Sequence, residues 1–146
     1  MIKTFRGLLN KGASERIRLE TRDGKTGFRI KFLSGMPADT SAGSNEATIQ
    51  VYATKQTSTS TTVSFSEATL LGCFYFLRDQ GVVAINSQAT IFEETVFNQD
   101  IFVHYEDGQN NTAGFNFYLE LEQISLDDIE ATTVILKNFR NTNTVA

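Results

Sequence analysis

"FNFYLELEQ", residues 115–123, alternates apolar and polar side chains at successive positions, which is typical of a β-strand with one buried face. The apolar side comprises Phe115, Phe117, Leu119 and Leu121, and the polar side includes Glu120 and Glu122. Two neighbouring carboxylates are also the equipment of a glycosidase, but that chemistry needs one acid in dry surroundings. Because the alternation already accounts for both acids, we predict that Glu120 and Glu122 lie on a solvated strand face.

The same alternation occurs in three earlier segments, "RIRLETR" (16–22), "GFRIKF" (27–32) and "TIQVYA" (48–53). It predicts half-buried antiparallel strands. Their inward side chains are Ile17 and Leu19, then Phe28, Ile30 and Phe32, then Ile49, Val51 and Ala53. Asp23-Gly24 supplies the positive φ of a tight turn, so the first two segments are expected to form a hairpin.

Further strands are predicted at "TTVSF" (61–65), "LLGCFYFL" (70–77), "GVVAINS" (81–87) or "ATIFE" (89–93), and "DIFVHY" (100–105). Polar segments separate them. Residues 34–46 are predicted as a loop, 54–62 as a loop or a strand extension, and 106–114 as a second hairpin turn. About seven to nine strands at this spacing indicate a mainly β fold, an antiparallel β-sandwich or jelly roll, in a single domain spanning residues 1–146.

A C-terminal helix is predicted over residues 125–140. Ser125 and Asp128 resemble a capping box, with acidic residues following in the first turn. The face expected to pack on the sandwich comprises Leu126, Ile129, Leu136 and Phe139.

Composition excludes several classes of partner. The chain has 13 Lys and Arg against 17 Asp and Glu, and this net charge of −4 does not favour nucleic acid. It has neither a secretory signal nor an apolar run of about 20 residues, so we expect no membrane span and a chain kept soluble inside a cell. Cys73, the single cysteine, lies in an apolar segment and is predicted as a small buried hydrophobe.

No catalytic, cofactor or metal site is predicted, and the chain is not expected to be an enzyme. His104 is the only histidine, and a strand sends the adjacent Glu106 and Asp107 to opposite faces. Residues 106–111 are rich in oxygen ligands but lack the spacing of a calcium loop. The surroundings of Ser66 lack the motif of a nucleophilic serine.

The N-terminal residues 1–12 are more apolar than a disordered terminus. Two interpretations stay open: a first strand that completes the sheet, or an arm that docks on a neighbouring subunit. The side chains that would make such a partner contact are Ile2, Phe5, Leu8 and Leu9.

"MIKTFRGLL", "GFRIKF", "FNQDIFVHY" and "YLELEQISLDDIEATTVILKNFRN" together resemble small virion structural proteins of marine tailed bacteriophages. The resemblance implies a capsid decoration or cement subunit whose partners are copies of itself and the major capsid protein. It also implies a virion location after assembly in the host bacterial cytoplasm, where a free cysteine stays reduced.

Two other functions remain as alternatives. The first is a glycan-binding module of a phage tail or fibre, with four tyrosines as stacking platforms: Tyr52, Tyr75, Tyr105 and Tyr118. The second is a glycoside hydrolase that uses Glu120 and Glu122.

Overall fold

A computed structural model describes residues 1–41, 43–79, 84–92 and 95–144. Two antiparallel sheets pack face to face around one hydrophobic core, and a C-terminal helix follows the last strand. The prediction of a mainly β sandwich is therefore confirmed. The finer jelly-roll arrangement stays a prediction.

The three-stranded sheet has the order β1-β8-β3 and the five-stranded sheet the order β2-β7-β4-β5-β6. The strands are β1 (Ile2–Leu9), β2 (Ser14–Ile17), β3 (Thr26–Pro37), β4 (Asn45–Tyr52), β5 (Leu70–Asp79), β6 (Ala84–Ile91), β7 (Ile101–Asp107) and β8 (Phe115–Ser125), and the helix is α1 (Asp128–Thr144). The N-terminal residues thus form a first strand, one of the two interpretations that the sequence left open.

The last two strands complete both sheets. β7 lies between β2 and β4, and β8 lies between β1 and β3. Neither predicted hairpin forms, because β2 and β3 belong to different sheets, as do β7 and β8. Gly24 does adopt the positive φ of a turn (66°), but that turn carries the chain from one sheet to the other.

The core consists of the inward side chains of both sheets, and β8 contributes the apolar side identified from its alternation. Phe115, Phe117, Leu119 and Leu121 are all buried, so the predicted phase of this strand is confirmed. Phe117 is flanked by a glycine on each neighbouring strand, Gly7 on β1 and Gly35 on β3. A Cβ on Gly7 would lie 2.8 Å from the Phe117 ring, so the missing side chain makes room for the aromatic ring.

Three predicted segments differ from the structure. Residues 61–65 form no strand, and the loop predicted over 34–46 is shorter because β3 extends to Pro37 and β4 begins at Asn45. A single strand, β6, covers most of the two alternatives at 81–87 and 89–93, while residues 81–83 and 93 lie outside the described residues.

A β-bulge reverses the predicted direction of Phe32. The register between β3 and β8 shifts between Ile30 and Phe32, so Lys31 is the extra residue. After the bulge, Leu33 instead of Phe32 points into the core. The adjacent apolar pair Phe32-Leu33 interrupts the alternation at this point.

The helix begins three residues later than predicted and presents a different face. Asp127, not Ser125, caps it, because the Asp127 carboxylate accepts a hydrogen bond from the Glu130 backbone N–H (2.8 Å). Of the predicted contact residues, Leu126 is buried as expected, whereas Ile129 and Leu136 are exposed, and Ala131 of the helix itself is buried. The side chain of Phe139 lies outside the described residues.

Among the described residues, no helix is both long enough and apolar enough to cross a membrane.

Candidate functional site

The loop that joins β4 to β5 covers the outer face of the five-stranded sheet over strands β4 and β7. Gln50, Tyr52 and His104 point outward from β4 and β7, yet all three are buried. The Tyr52 hydroxyl donates a hydrogen bond to the side-chain oxygen Oε1 of Gln50, and the side-chain nitrogen Nε2 of Gln50 donates one to the backbone oxygen of Ser60 in the loop (2.8 Å). The chain therefore covers this part of the face itself.

Glu106 stabilises the position of the same loop. Its carboxylate accepts a hydrogen bond from the Thr59 hydroxyl (2.7 Å) and pairs with the Lys11 ammonium (2.8 Å). Partial burial alone would raise the pKa of Glu106, but these contacts with Lys11 and Thr59 lower it below its usual value. The carboxylate thus stays ionised and ties the loop to the β1–β2 turn.

We call the outer side of the three-stranded sheet the open face, because no other described segment covers it. Pairing of β1 and β3 with β8 places on it Ile2, Thr4, Arg6, Leu8, Arg29, Lys31, Phe32, Ser34, Met36, Asn116, Tyr118, Glu120 and Glu122.

Four large apolar side chains of the open face are strongly exposed: Leu8 (58%), Met36 (51%), Ile2 (50%) and Phe32 (46%). Phe32 also packs edge-on against the Tyr118 ring, with 6.0 Å between ring centroids. A groove of about 540 Å³ runs between Leu8 and Met36, with Arg6 and Ser34 on its walls. Exposed apolar side chains on both sides of a groove, as Leu8 and Met36 are here, indicate a contact site.

The opposite end of the open face carries paired charges. Arg29 Nε lies 3.0 Å from a Glu122 carboxylate oxygen, and Lys31 Nζ lies 3.6 Å from the same oxygen. The hydrogen bond from Arg29, supported by Lys31, lowers the pKa of Glu122. Glu120 accepts a hydrogen bond from the Tyr118 hydroxyl (2.7 Å). An ionised, ion-paired Glu122 does not match the protonated acid that a glycosidase requires.

The four predicted contact residues of the N-terminus divide between the two faces of β1. Ile2 and Leu8 belong to the open face, whereas Leu9 is buried in the core and Phe5 packs partly against it. Leu9 is therefore a core residue, and the exposed apolar contribution of β1 comes from Ile2 and Leu8.

Other candidate groups give no second site. Burial raises the pKa of the Cys73 thiol, as expected for a buried hydrophobe. Tyr52 and Tyr105 are buried, so neither is a stacking platform, while Tyr75 and Tyr118 lie on different sheets. Within the described ranges, no cluster of three or more His, Cys, Asp or Glu side chains is arranged to hold a metal ion.

Sequence reasoning missed Phe32 and Met36 as surface residues. Alternation assigned Phe32 to the core, and Met36 lay in a segment predicted as loop. The only sequence signals of outward apolar side chains were two adjacent apolar pairs, Leu8-Leu9 and Phe32-Leu33. Two neighbouring residues on a strand point to opposite faces unless a bulge intervenes, so one member of each pair is expected to face outward.

Comparison with known proteins gave no match to a family model, to a curated protein or to a solved structure. The two sheets form a β-sandwich in which one outer face is partly covered by the chain itself and the other is covered by no other described segment.

Proposed function

We propose that this protein is a non-enzymatic structural component of a bacteriophage particle. It acts as a capsid decoration or cement subunit that associates with copies of itself and binds the head shell, after assembly in the bacterial host. The open face is the observation that carries the proposal, because four exposed apolar side chains share one side of a regular sheet. The phage context comes from the sequence resemblance described above.

The open face suits a protein partner better than a small substrate. Its apolar residues spread over strands β1 and β3, and its charges at Glu122 are already paired with Arg29 and Lys31. Protein interfaces combine apolar contact area with polar groups, and the open face has an apolar groove at one end and ion pairs at the other. The major capsid protein is the proposed occupant.

The first test is the copy number of this protein in purified virions, measured by quantitative mass spectrometry against the major capsid protein. A ratio near one, or another simple fraction set by the shell lattice, supports a decoration or cement subunit. A count of only a few copies would indicate that the protein belongs to the neck, tail or fibre of the virion. Complete absence from virions would overturn the proposal.

A second test locates the contact. Purified shells lacking the protein are mixed with wild type, with Leu8→Asp/Met36→Asp, or with Ile129→Asp. Ile129 is the matched control because it is a strongly exposed apolar side chain (79%) that lies on the helix. We expect the open-face double variant to lose binding and the helix variant to keep it. Equal binding by all three proteins would contradict a role for the open face.

A further inference from the structure

β1 forms one edge of the three-stranded sheet, and its outer edge has no strand partner among the described residues. The Gln123 backbone N–H donates to the Met1 carbonyl oxygen (2.9 Å), so Met1 and Gln123 form a hydrogen-bonded pair. Hydrogen-bonded and non-bonded pairs alternate along an antiparallel ladder. The backbone groups that point to the free edge therefore belong to Ile2, Thr4, Arg6 and Leu8.

This edge is better suited to pairing than the other three sheet edges. β1 is regular over eight residues, whereas β3 contains a bulge and ends at Pro37, and β2 has only four residues. β6 packs against β3. Free edges of regular strands are templates for pairing with another chain.

We infer that β1 pairs in an antiparallel manner with β1 of a second copy of this chain, which joins two three-stranded sheets into one continuous six-stranded sheet. The inference rests on the proposed function, which includes self-association, and it names the surface that performs it. A two-fold axis would pass beside Phe5. The opposed pairs are Phe5 with the partner's Phe5, Thr4 with the partner's Arg6, Lys3 with the partner's Gly7 and Ile2 with the partner's Leu8.

This register satisfies three requirements of a sheet interface. Residues that face each other must lie on the same face, and each pair above joins two open-face or two core-face positions. The unpaired backbone N–H and C=O groups of the two strands must face each other so that they can form hydrogen bonds. In this register, those of Thr4 face those of the partner's Arg6. Like charges must not be opposed. Moving the two-fold axis from Phe5 to Arg6 would place Arg6 opposite the partner's Arg6. Moving it to Thr4 would place the apolar Ile2 opposite the partner's Arg6 instead of the partner's Leu8.

Charge complementarity supports the same register. Glu15 lies beside Gly7, and its Oε2 atom is 3.3 Å from the position that a Cβ on Gly7 would occupy. Glu15 is exposed and takes part in no ion pair among the described residues. Because Lys3 opposes the partner's Gly7, its ammonium comes within reach of the partner's Glu15. The two-fold axis repeats this pair, so each interface contains it twice.

The pairing also extends the open face. Ile2 of one copy would lie against the partner's Leu8, so the apolar side chains of the two open faces become continuous across the axis. A dimer would then present to the shell about twice the apolar surface of one chain.

Sedimentation velocity over a range of concentrations tests the pairing with Thr4→Pro and its control Thr4→Ala. Proline removes only an N–H that points to the free edge, so β1 keeps its bonds to β8. We expect wild type and Thr4→Ala to be dimers, or multiples of dimers, and Thr4→Pro to be a monomer with unchanged circular dichroism. A monomeric wild type, or a Thr4→Pro protein that associates as tightly as wild type, would overturn the inference.

Charge reversal gives a second readout that does not depend on the folding of the proline variant. Lys3→Glu or Glu15→Lys alone should weaken dimerisation about tenfold or more, and the combined swap should restore it. Lys55→Glu, in the exposed loop, is the control that should leave dimerisation unchanged. Failure of the swap to restore association would contradict the proposed register.

The two proposals fail in different experiments. A wild-type dimer abolished by Thr4→Pro, combined with absence from virions, would keep the β1 pairing and remove the phage function. Stoichiometric presence in virions, combined with a monomeric wild type, would keep the phage function and remove the pairing.

Discussion

The two outer faces of the sandwich reverse the usual distribution of side chains. On the five-stranded sheet, the outward residues Gln50, Tyr52 and His104 are polar or amphipathic, and they are buried. On the three-stranded sheet, the outward residues Leu8 and Met36 are apolar, and they are exposed. Burial of a polar group requires specific hydrogen-bond partners, whereas an apolar group needs only contact area.

Connectivity explains why the loop covers only one face. The chain leaves β4 and returns to β5 within the same sheet, so the intervening residues 53–69 fold back over that sheet. Each connection of the three-stranded sheet crosses to the other sheet or, after β8, enters the helix. The difference teaches that a connection within one sheet can cover part of the outer face of that sheet, whereas connections that cross between sheets leave the open face without a cover among the described residues.

The largest expected effect concerns the core beneath the open face. Phe117→Ala should lower the free energy of unfolding by about 3 to 5 kcal/mol, because it empties a buried position beside Gly7 and Gly35. Glu120→Gln, on the opposite side of the same strand, should change it by less than about 0.5 kcal/mol. Urea unfolding of both variants measures the difference. Similar small effects would contradict the assigned phase of β8.

The alternation of apolar and polar residues predicted the strands whose inward side chains form the hydrophobic core. β8 follows it in full, because its burial alternates along the strand, whereas in β4 only the inward side chains Ala47, Ile49 and Val51 were predictable in this way. Strand order could not be predicted in this way, since β7 and β8 insert between strands that come much earlier in the chain. A turn such as Asp23-Gly24 specifies that the chain reverses, but not which sheet receives the next strand.

The open face was only partly predictable for a related reason. Ile2 and Leu8 were predicted as contact residues from the apolar character of the N-terminus, but Phe32 depends on a bulge at Lys31 that alternation does not reveal. The burial of Gln50 and His104 was equally hidden, because it depends on a loop that periodicity cannot place.

Matched tyrosines on the two outer faces sharpen the comparison. Tyr52→Phe should lower the free energy of unfolding by about 1 to 3 kcal/mol, because it removes a buried partner of Gln50. Tyr118→Phe removes a hydrogen bond to Glu120 on the open face, where water can replace it, and should cost less than about 0.5 kcal/mol. Chemical denaturation of the two variants measures both costs. Equal costs would show that loop 53–69 does not seal its face in solution.

Acidification should loosen the covered face through His104. Burial lowers the pKa of His104 below 6.5, although the nearby Glu106 opposes this effect, and the Tyr52 ring packs 4.9 Å from the imidazole. The unfolded chain therefore binds the proton more readily, so stability is complete above pH 6.5 and falls as the pH drops below it.

Unfolding measured from neutral pH down to the range where carboxylates titrate should show this loss in wild type, and His104→Gln should remove it. Glu106 and Glu122 have lowered pKa values, so their contributions are lost only at more acidic pH and do not overlap this window. A wild-type curve that stays flat through this window would contradict the burial of a neutral His104.

The smallest effect on folding is expected on the open face itself. Met36→Ser replaces a half-exposed side chain that no other described segment covers, so the free energy of unfolding should change by less than about 0.5 kcal/mol. Binding to shells should nevertheless weaken, because the serine offers less apolar area to the partner. Ile129→Ser, at an exposed apolar position on the helix, is the control that should preserve both properties. A Met36→Ser protein that loses stability but keeps shell binding would show that Met36 supports the sandwich itself, and the distinction between a self-covered and a partner-covered face would then fail.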